Sequence, residues 1–195
     1  MEPSQVLQVV VSTLQKLGIP YMLVGSFASS SQGVTRFTQD ADLIIKLSRS
    51  QIDRFIEAFS PDFYVDRGTM QHALTSETSF NVVHFESSFK IDFFVLRRNR
   101  YGEEEFSRRA LRRINLRPGF EVYVQTPEDT LLSKLRWFRQ GGEVSENQWR
   151  DVIGILKVQA GRLEMDYLRK WAEEIGVSDL LAKASREAEG GGGPG

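Results

Sequence analysis

The chain has 195 residues, a formal net charge of -1, no cysteine and two histidines. That length suits one compact domain, or a small catalytic lobe with a helical appendage, and the near-neutral balance gives no global attraction to nucleic acid, so contact with RNA or DNA requires a local patch. Disulfides and thiolate zinc sites are excluded, no run approaches the roughly 20 apolar residues of a membrane span, and Met1-Glu2-Pro3-Ser4 lacks the basic and apolar regions of a signal peptide, so a soluble, cytoplasmic protein with no membrane partner is expected.

Val6, Val9, Val10, Leu14 and Leu17 recur at helical spacing and Gly18 stands where a C-terminal cap would, so the chain opens with a helix. Ile19 to Val24 reads as a buried strand ending at Gly25-Ser26, followed by a short helix over Phe27 to Gln32 within a polar segment that reaches Gln39. Asp40 to Leu47 is the next strand. Ser48 with Gln51 forms a capping box for a helix to about Phe59, and Phe63-Tyr64-Val65 is a short strand. Residues 79–87 and 89–96 form a hairpin turning at Glu86-Ser87-Ser88, and Arg117-Pro118-Gly119 marks a second one between Ile114-Asn115-Leu116 and Glu121 to Val124.

Thr126 reads as an N-cap with Pro127 at the first helical position, starting a helix to about Gln140 that Gly141-Gly142 ends. Ser145 with Gln148 starts another helix to Ala160; a third runs from about Leu163 to Ile175, before a short terminal one. The expected class is α/β (α+β), a mixed sheet flanked by helices and followed by a C-terminal helical bundle. The divisions fall at 1–126 for the lobe, 127–187 for the helical region and 188–195 for a flexible glycine-rich tail.

Acidic residues are disfavoured in strands, yet Asp40 and Asp42 head one apolar run and Asp92 sits inside another, Phe89 to Val95. Alternation puts Asp40 and Asp42 on one face. If the strand of Asp92 lies beside theirs, three carboxylates converge, and a hard cation with oxygen ligands resolves the cost. Magnesium, or manganese, suits a site of this kind, since it takes one or two carboxylates and completes its shell with water and substrate phosphate. Upstream, Gly25 removes a Cβ, and the first N–H groups of the following helix, with the Ser26 hydroxyl, make a cradle for an anion. His84 alternates within a strand pattern and reads as a sheet residue. Arg97, Arg98, Arg100, Arg108, Arg109, Arg112, Arg113 and Arg117 crowd one segment that could meet a phosphate backbone, although Glu104 with Arg108 and Glu105 with Arg109 also fit i,i+4 pairs on a solvated helix.

Gly25-Ser26, Asp40-Ala41-Asp42 and the later Asp92 together resemble the signature of the nucleotidyltransferase superfamily related to DNA polymerase beta, over roughly residues 19–97. Thr126-Pro127-Glu128-Asp129, Lys134-Leu135 and Trp149-Arg150-Asp151 are similar to the helical half of the AbiEii-type branch of toxins and uncharacterised bacterial nucleotidyltransferases. Trp137 stands where that branch often has Ala, and Gly154 lies near where it has a second acidic residue. The resemblance implies transfer of a nucleoside monophosphate from a nucleoside triphosphate such as ATP to a hydroxyl acceptor, with release of pyrophosphate. It assigns Asp40, Asp42 and Asp92 to metal binding and catalysis, and Gly25, Ser26, Lys134 and Asp151 to the nucleotide. It leaves the acceptor open among an RNA 3′ end, a protein side chain and a small-molecule hydroxyl, and it raises an antitoxin as a partner. Two alternatives stand beside it: a degenerate module that binds nucleotide or a partner without turnover, and a glycosyltransferase using Asp-x-Asp.

Overall fold

The computed structural model describes residues 1–32, 40–113 and 120–190. They divide into two compact units, one built from residues 1–27, 40–113 and 120–124, the other from 28–32 and 125–190.

The first unit opens with helix α1 (Pro3–Lys16), stopped where Gly18 takes φ +65°, as its sequence position predicts. Strand β1 (Tyr21–Val24) leads into α2 (Gly25–Gln32), which begins two residues earlier than predicted. Strand β2 (Asp40–Ile45), helix α3 (Ile52–Phe59) and strand β3 (Phe63–Val65) follow. Helix α4 (Arg67–Ser76) was not expected; Asp66 caps it by accepting from the Thr69 N–H at 2.7 Å, and Met70 and Ala73 are fully buried. The hairpin of β4 (Ser79–His84) and β5 (Lys90–Val95) appears where the alternation puts it, with strands shorter than their patterns.

Helix α5 (Arg100–Ser107) ends before Arg108, so neither Arg108 nor Arg109 belongs to its body; Arg109 instead lies over the Phe106 and Tyr123 rings, at 4.2 and 5.1 Å from their centroids. Strands β6 (Ala110–Arg113) and β7 (Glu121–Val124) complete the unit. The turn predicted at Arg117-Pro118-Gly119, with its flanking Ile114 to Leu116, lies outside the described residues, as does the polar segment between Gln32 and Asp40.

The seven strands form one mixed sheet in the order β3-β4-β5-β2-β1-β7-β6. β2 and β5 pair in parallel, as do β1 and β7, and the other neighbours are antiparallel. One face of β2 and β5 is apolar: Ala41, Leu43, Ile45, Ile91 and Phe93 are all fully buried. There Phe93 stacks on Phe80 with ring centroids 5.3 Å apart and meets Phe55 of α3 edge-on at 5.6 Å, while Phe55 stacks on Phe59 at 4.3 Å. On the opposite face Met22, Val24, Leu96 and Phe106 form a smaller cluster with Ile44. Two cores thus clamp the middle of the sheet and fix which way each strand residue points.

The second unit holds α6 (Pro127–Gln140), α7 (Glu146–Val158), α8 (Met165–Glu174) and α9 (Ser178–Gly190). Thr126 caps α6 as read from the sequence, accepting from the Asp129 N–H at 3.2 Å, and Ser145 caps α7. Trp171, Leu131, Leu135, Val152, Ile155 and Leu168 supply its core. Helix α9 has 13 residues and carries the chain to Gly190, three residues into the stretch expected to be tail, because Leu180, Leu181 and Ala184 bury one face of it. Residues 191–195 lie outside the described residues. Among the described residues no helix is long and apolar enough to cross a membrane.

Candidate active site

Burial alternates along β2 from Asp40 to Ile45 and along β5 from Lys90 to Phe93, so Asp40, Asp42, Lys90 and Asp92 share the face opposite the aromatic core. In the parallel register Asp42 stands beside Asp92 and Asp40 beside Lys90. Neighbouring strands are roughly 4.8 Å apart, so the Asp42 and Asp92 carboxylates rise from adjacent positions. A slip of one residue would carry every one of these groups into the aromatic core, and burial of Phe93 and Leu43 sets the register against that.

Gly25 follows Val24, whose register partner is Asp42. It has φ +66°, in the left-handed region, and a Cβ built on it would lie 1.9 Å from the Asp42 Oδ2. From the sequence, the missing Cβ at this position clears room for a phosphate. The structure adds a nearer cause: the Gly25 backbone packs directly against the Asp42 carboxylate, and no side chain fits between them. Ser26, half-buried, stands in the first turn of α2.

Lys90 was not singled out from the sequence. Its Nζ lies 2.7 Å from the Asp92 Oδ2. The hydrogen bond to Asp92 holds the ammonium above the ordinary lysine range; partial burial opposes this, and the charges of Asp92, Asp40 and Asp42 reinforce it. The i,i+2 spacing of Lys90 and Asp92 was the available signal, but its meaning depends on which strand lies alongside. Asn81 of β4, exposed and directly across from Asp92, extends the same row, and Val83 and Tyr64 extend the row of Lys90 and Asp40 toward β3.

Among the described residues no three acidic, histidine or cysteine groups converge into a ready-made metal cluster. The chemistry of the donors still fits magnesium: Asp40 and Asp42 offer hard oxygens on one face, and Asp42 is wedged against a backbone stripped of its Cβ. Asp92 adjoins them with one oxygen already bonded to an ammonium.

Lys134 and Asp151 belong to the second unit and are brought together there. The Lys134 side chain is 2% exposed, with Nζ 2.8 Å from the Asp151 Oδ2 and 3.2 Å from the Gln148 Oε1. This joins α6 to α7. Tyr167 of α8 donates to the Asp129 Oδ1 at 2.6 Å, and the Glu164 N–H donates to the Glu128 Oε1 at 3.0 Å, so the acidic first turn of α6 is tied to α8 and the loop before it. A groove of about 540 Å³ among Phe138, Val144, Trp149, Ile153 and Lys183 also lies in this unit, and none of the predicted site residues lines it.

His84 is a sheet residue, 4% exposed, its Nδ1 2.8 Å from the Ser87 Oγ. In the arginine-rich segment Arg98 faces Glu77 at 3.8 Å and Arg113 faces Glu121 at 3.3 Å, so part of that charge is matched locally.

Three solved structures share this architecture. An antigenic nucleotidyltransferase-like protein from Paracoccidioides brasiliensis aligns with a TM-score of 0.56 at 19% identity, over 95% of this chain and 92% of its own. The chain has a nucleotidyltransferase fold. The lincosamide antibiotic adenylyltransferase LnuA, bound to lincomycin, aligns with a TM-score of 0.51 at 13% identity, over 78% of this chain and 95% of its own. The antibiotic-resistance factor ANT(2'')-Ia aligns with a TM-score of 0.54 at 10% identity, over 95% of each chain. No family model and no curated protein matches this nucleotidyltransferase-fold chain. At these identities the likeness establishes the fold, and the carboxylate row on β2 and β5 is this chain's own evidence for chemistry.

Proposed function

We propose that the protein is a metal-dependent nucleotidyltransferase that moves a nucleoside monophosphate from a nucleoside triphosphate to an acceptor hydroxyl. The observation that carries the proposal is the row of Asp40, Asp42 and Asp92 on one face of two parallel strands, with the Gly25 turn pressed against Asp42. Three carboxylates on the open face of a sheet are a poor choice for stability and a good one for handling a polyphosphate with its cation.

The acceptor oxygen attacks the α-phosphorus, the bond from that phosphorus to the bridging oxygen breaks, and pyrophosphate leaves with the bonding pair. Asp92 accepts the proton of the attacking hydroxyl. Asp40 and Asp42 are the residues that would hold magnesium or manganese, which when bound neutralises charge on the triphosphate and the leaving group. Ser26 and the first N–H groups of α2 face the terminal phosphates. The resemblance alone assigns Lys134 and Asp151 to the nucleotide; within the second unit they form a buried ion pair between α6 and α7.

The acceptor is a hydroxyl compound, and the adenylyltransferase bound to lincomycin directs attention to small antibiotics among the candidates. An AbiEii-type role with an antitoxin partner is the narrower form of the proposal. It is supported by the Thr126 to Asp129 helix start and by Lys134 and Arg150-Asp151. The test incubates the protein and magnesium with each nucleoside triphosphate, labelled at the α-phosphate, against total RNA, cell protein, lincomycin and aminoglycosides. Label should appear in one acceptor fraction, with stoichiometric pyrophosphate. Absence of label from every fraction, with wild-type protein that binds nucleotide, would leave a binding module in place of an enzyme.

A further inference from the structure

We infer that Lys90 serves as a built-in second cation of this site, so that the carboxylate row takes one divalent ion, at Asp40 and Asp42, and not two. The inference rests on the nucleotidyltransferase proposal and deepens it. Its basis is the placement of Lys90 on the carboxylate face of β5, two residues before Asp92, directly across from Asp40, with its Nζ 2.7 Å from the Asp92 Oδ2.

Three carboxylates on adjacent positions repel one another, and a second ion in this row would need Asp92 as a ligand. Here one of those oxygens already carries a charge-assisted bond to an ammonium that belongs to the chain. An ammonium neutralises a single charge, has no coordination geometry to satisfy and never dissociates. It holds the Asp92 carboxylate in a fixed direction while leaving its other oxygen for the acceptor proton. A second divalent ion brought to Asp92 would have to displace Lys90 against like-charge repulsion. Lys90 is thus a positioning residue for Asp92 and sets the number of ions the site accepts.

The test is Mn2+ binding to the full chain, counted by electron paramagnetic resonance, for wild type, Lys90→Met, Lys90→Arg and Asp42→Asn, each checked for folding by circular dichroism. Wild type and Lys90→Arg should bind one ion with similar affinity. Lys90→Met should bind Mn2+ more tightly, on the order of tenfold, or take up a second ion, because removal of a unit charge a few ångströms away favours a divalent cation. A gain in metal binding cannot come from a damaged fold, so this readout separates the counter-ion role from a merely structural one. Unchanged or weaker binding in folded Lys90→Met would overturn the inference, as would two ions per chain in the wild type. Asp42→Asn separates the two levels: if it binds Mn2+ as wild type does, the metal site of the proposed function fails, whereas if it loses binding while Lys90→Met is unchanged, only the role of Lys90 fails.

Discussion

Gly25 carries two demands that no other residue meets, a left-handed backbone and a surface flat enough for the Asp42 carboxylate. Gly25→Ala should therefore cost about 2 kcal/mol or more in urea unfolding, from the strained φ and the displaced carboxylate, and should weaken divalent-ion binding. An alanine variant as stable as wild type would mean that Asp42 moves aside freely. Lys134 invites the opposite of what its sequence position suggests. A surface lysine reaching for a nucleotide could be truncated at little cost to stability. This one is buried against Asp151 and Gln148, so Lys134→Ala strips a sheltered carboxylate of its ammonium and should destabilise the protein by about 3–5 kcal/mol. Lys134→Met combined with Asp151→Leu should recover most of that loss, which denaturant titration of the single and double variants measures.

At the scale of elements, the starts of α6 and α7 were legible from local capping motifs. Thr126 and Pro127 define the first turn of α6 without help from the rest of the fold, and Thr126→Ala should cost about 1 kcal/mol in unfolding free energy. Helix α4 escaped because Gly68, Thr69, Thr75 and Ser76 favour helix weakly; it forms because Asp66 caps it and Met70 and Ala73 find a core to enter. The carboxylate strands were legible from period-two alternation. The partner of Asp92 was not, since Lys90 acquires its meaning only when β2 lies beside β5 in register, a non-local fact. The contact of the Arg139 Nη2 of α6 with both Asp179 carboxylate oxygens of α9, at 2.7 and 2.6 Å, was equally hidden across 40 residues. The bond to Arg139 holds the Asp179 carboxyl below the usual range. A depressed carboxylate contributes above its unfolded value and loses that contribution as pH falls through the folded one. Asp179→Asn should thus be less stable than wild type at neutral pH, with the difference vanishing in strong acid, as urea midpoints across pH would show.

For the whole molecule, a sheet held between two apolar clusters carries on β2 and β5 a strip of three aspartates and a lysine. Composition excluded a disulfide scaffold, and the order of Gly25, Asp40, Asp42 and Asp92 pointed to the fold. The acceptor stayed illegible, because any hydroxyl offers the same nucleophile. The most direct measurement of the central claim is transfer of α-phosphate label from a nucleoside triphosphate to acceptor by wild type, Asp42→Asn and Asp92→Ala at saturating magnesium, with folding verified by circular dichroism. Wild type should label an acceptor and release pyrophosphate, and both variants should fall by about a hundredfold or more, since both carboxylates act in one transition state. Wild-type rates of labelling in folded Asp42→Asn and Asp92→Ala would contradict the assignment of the reaction to this carboxylate row.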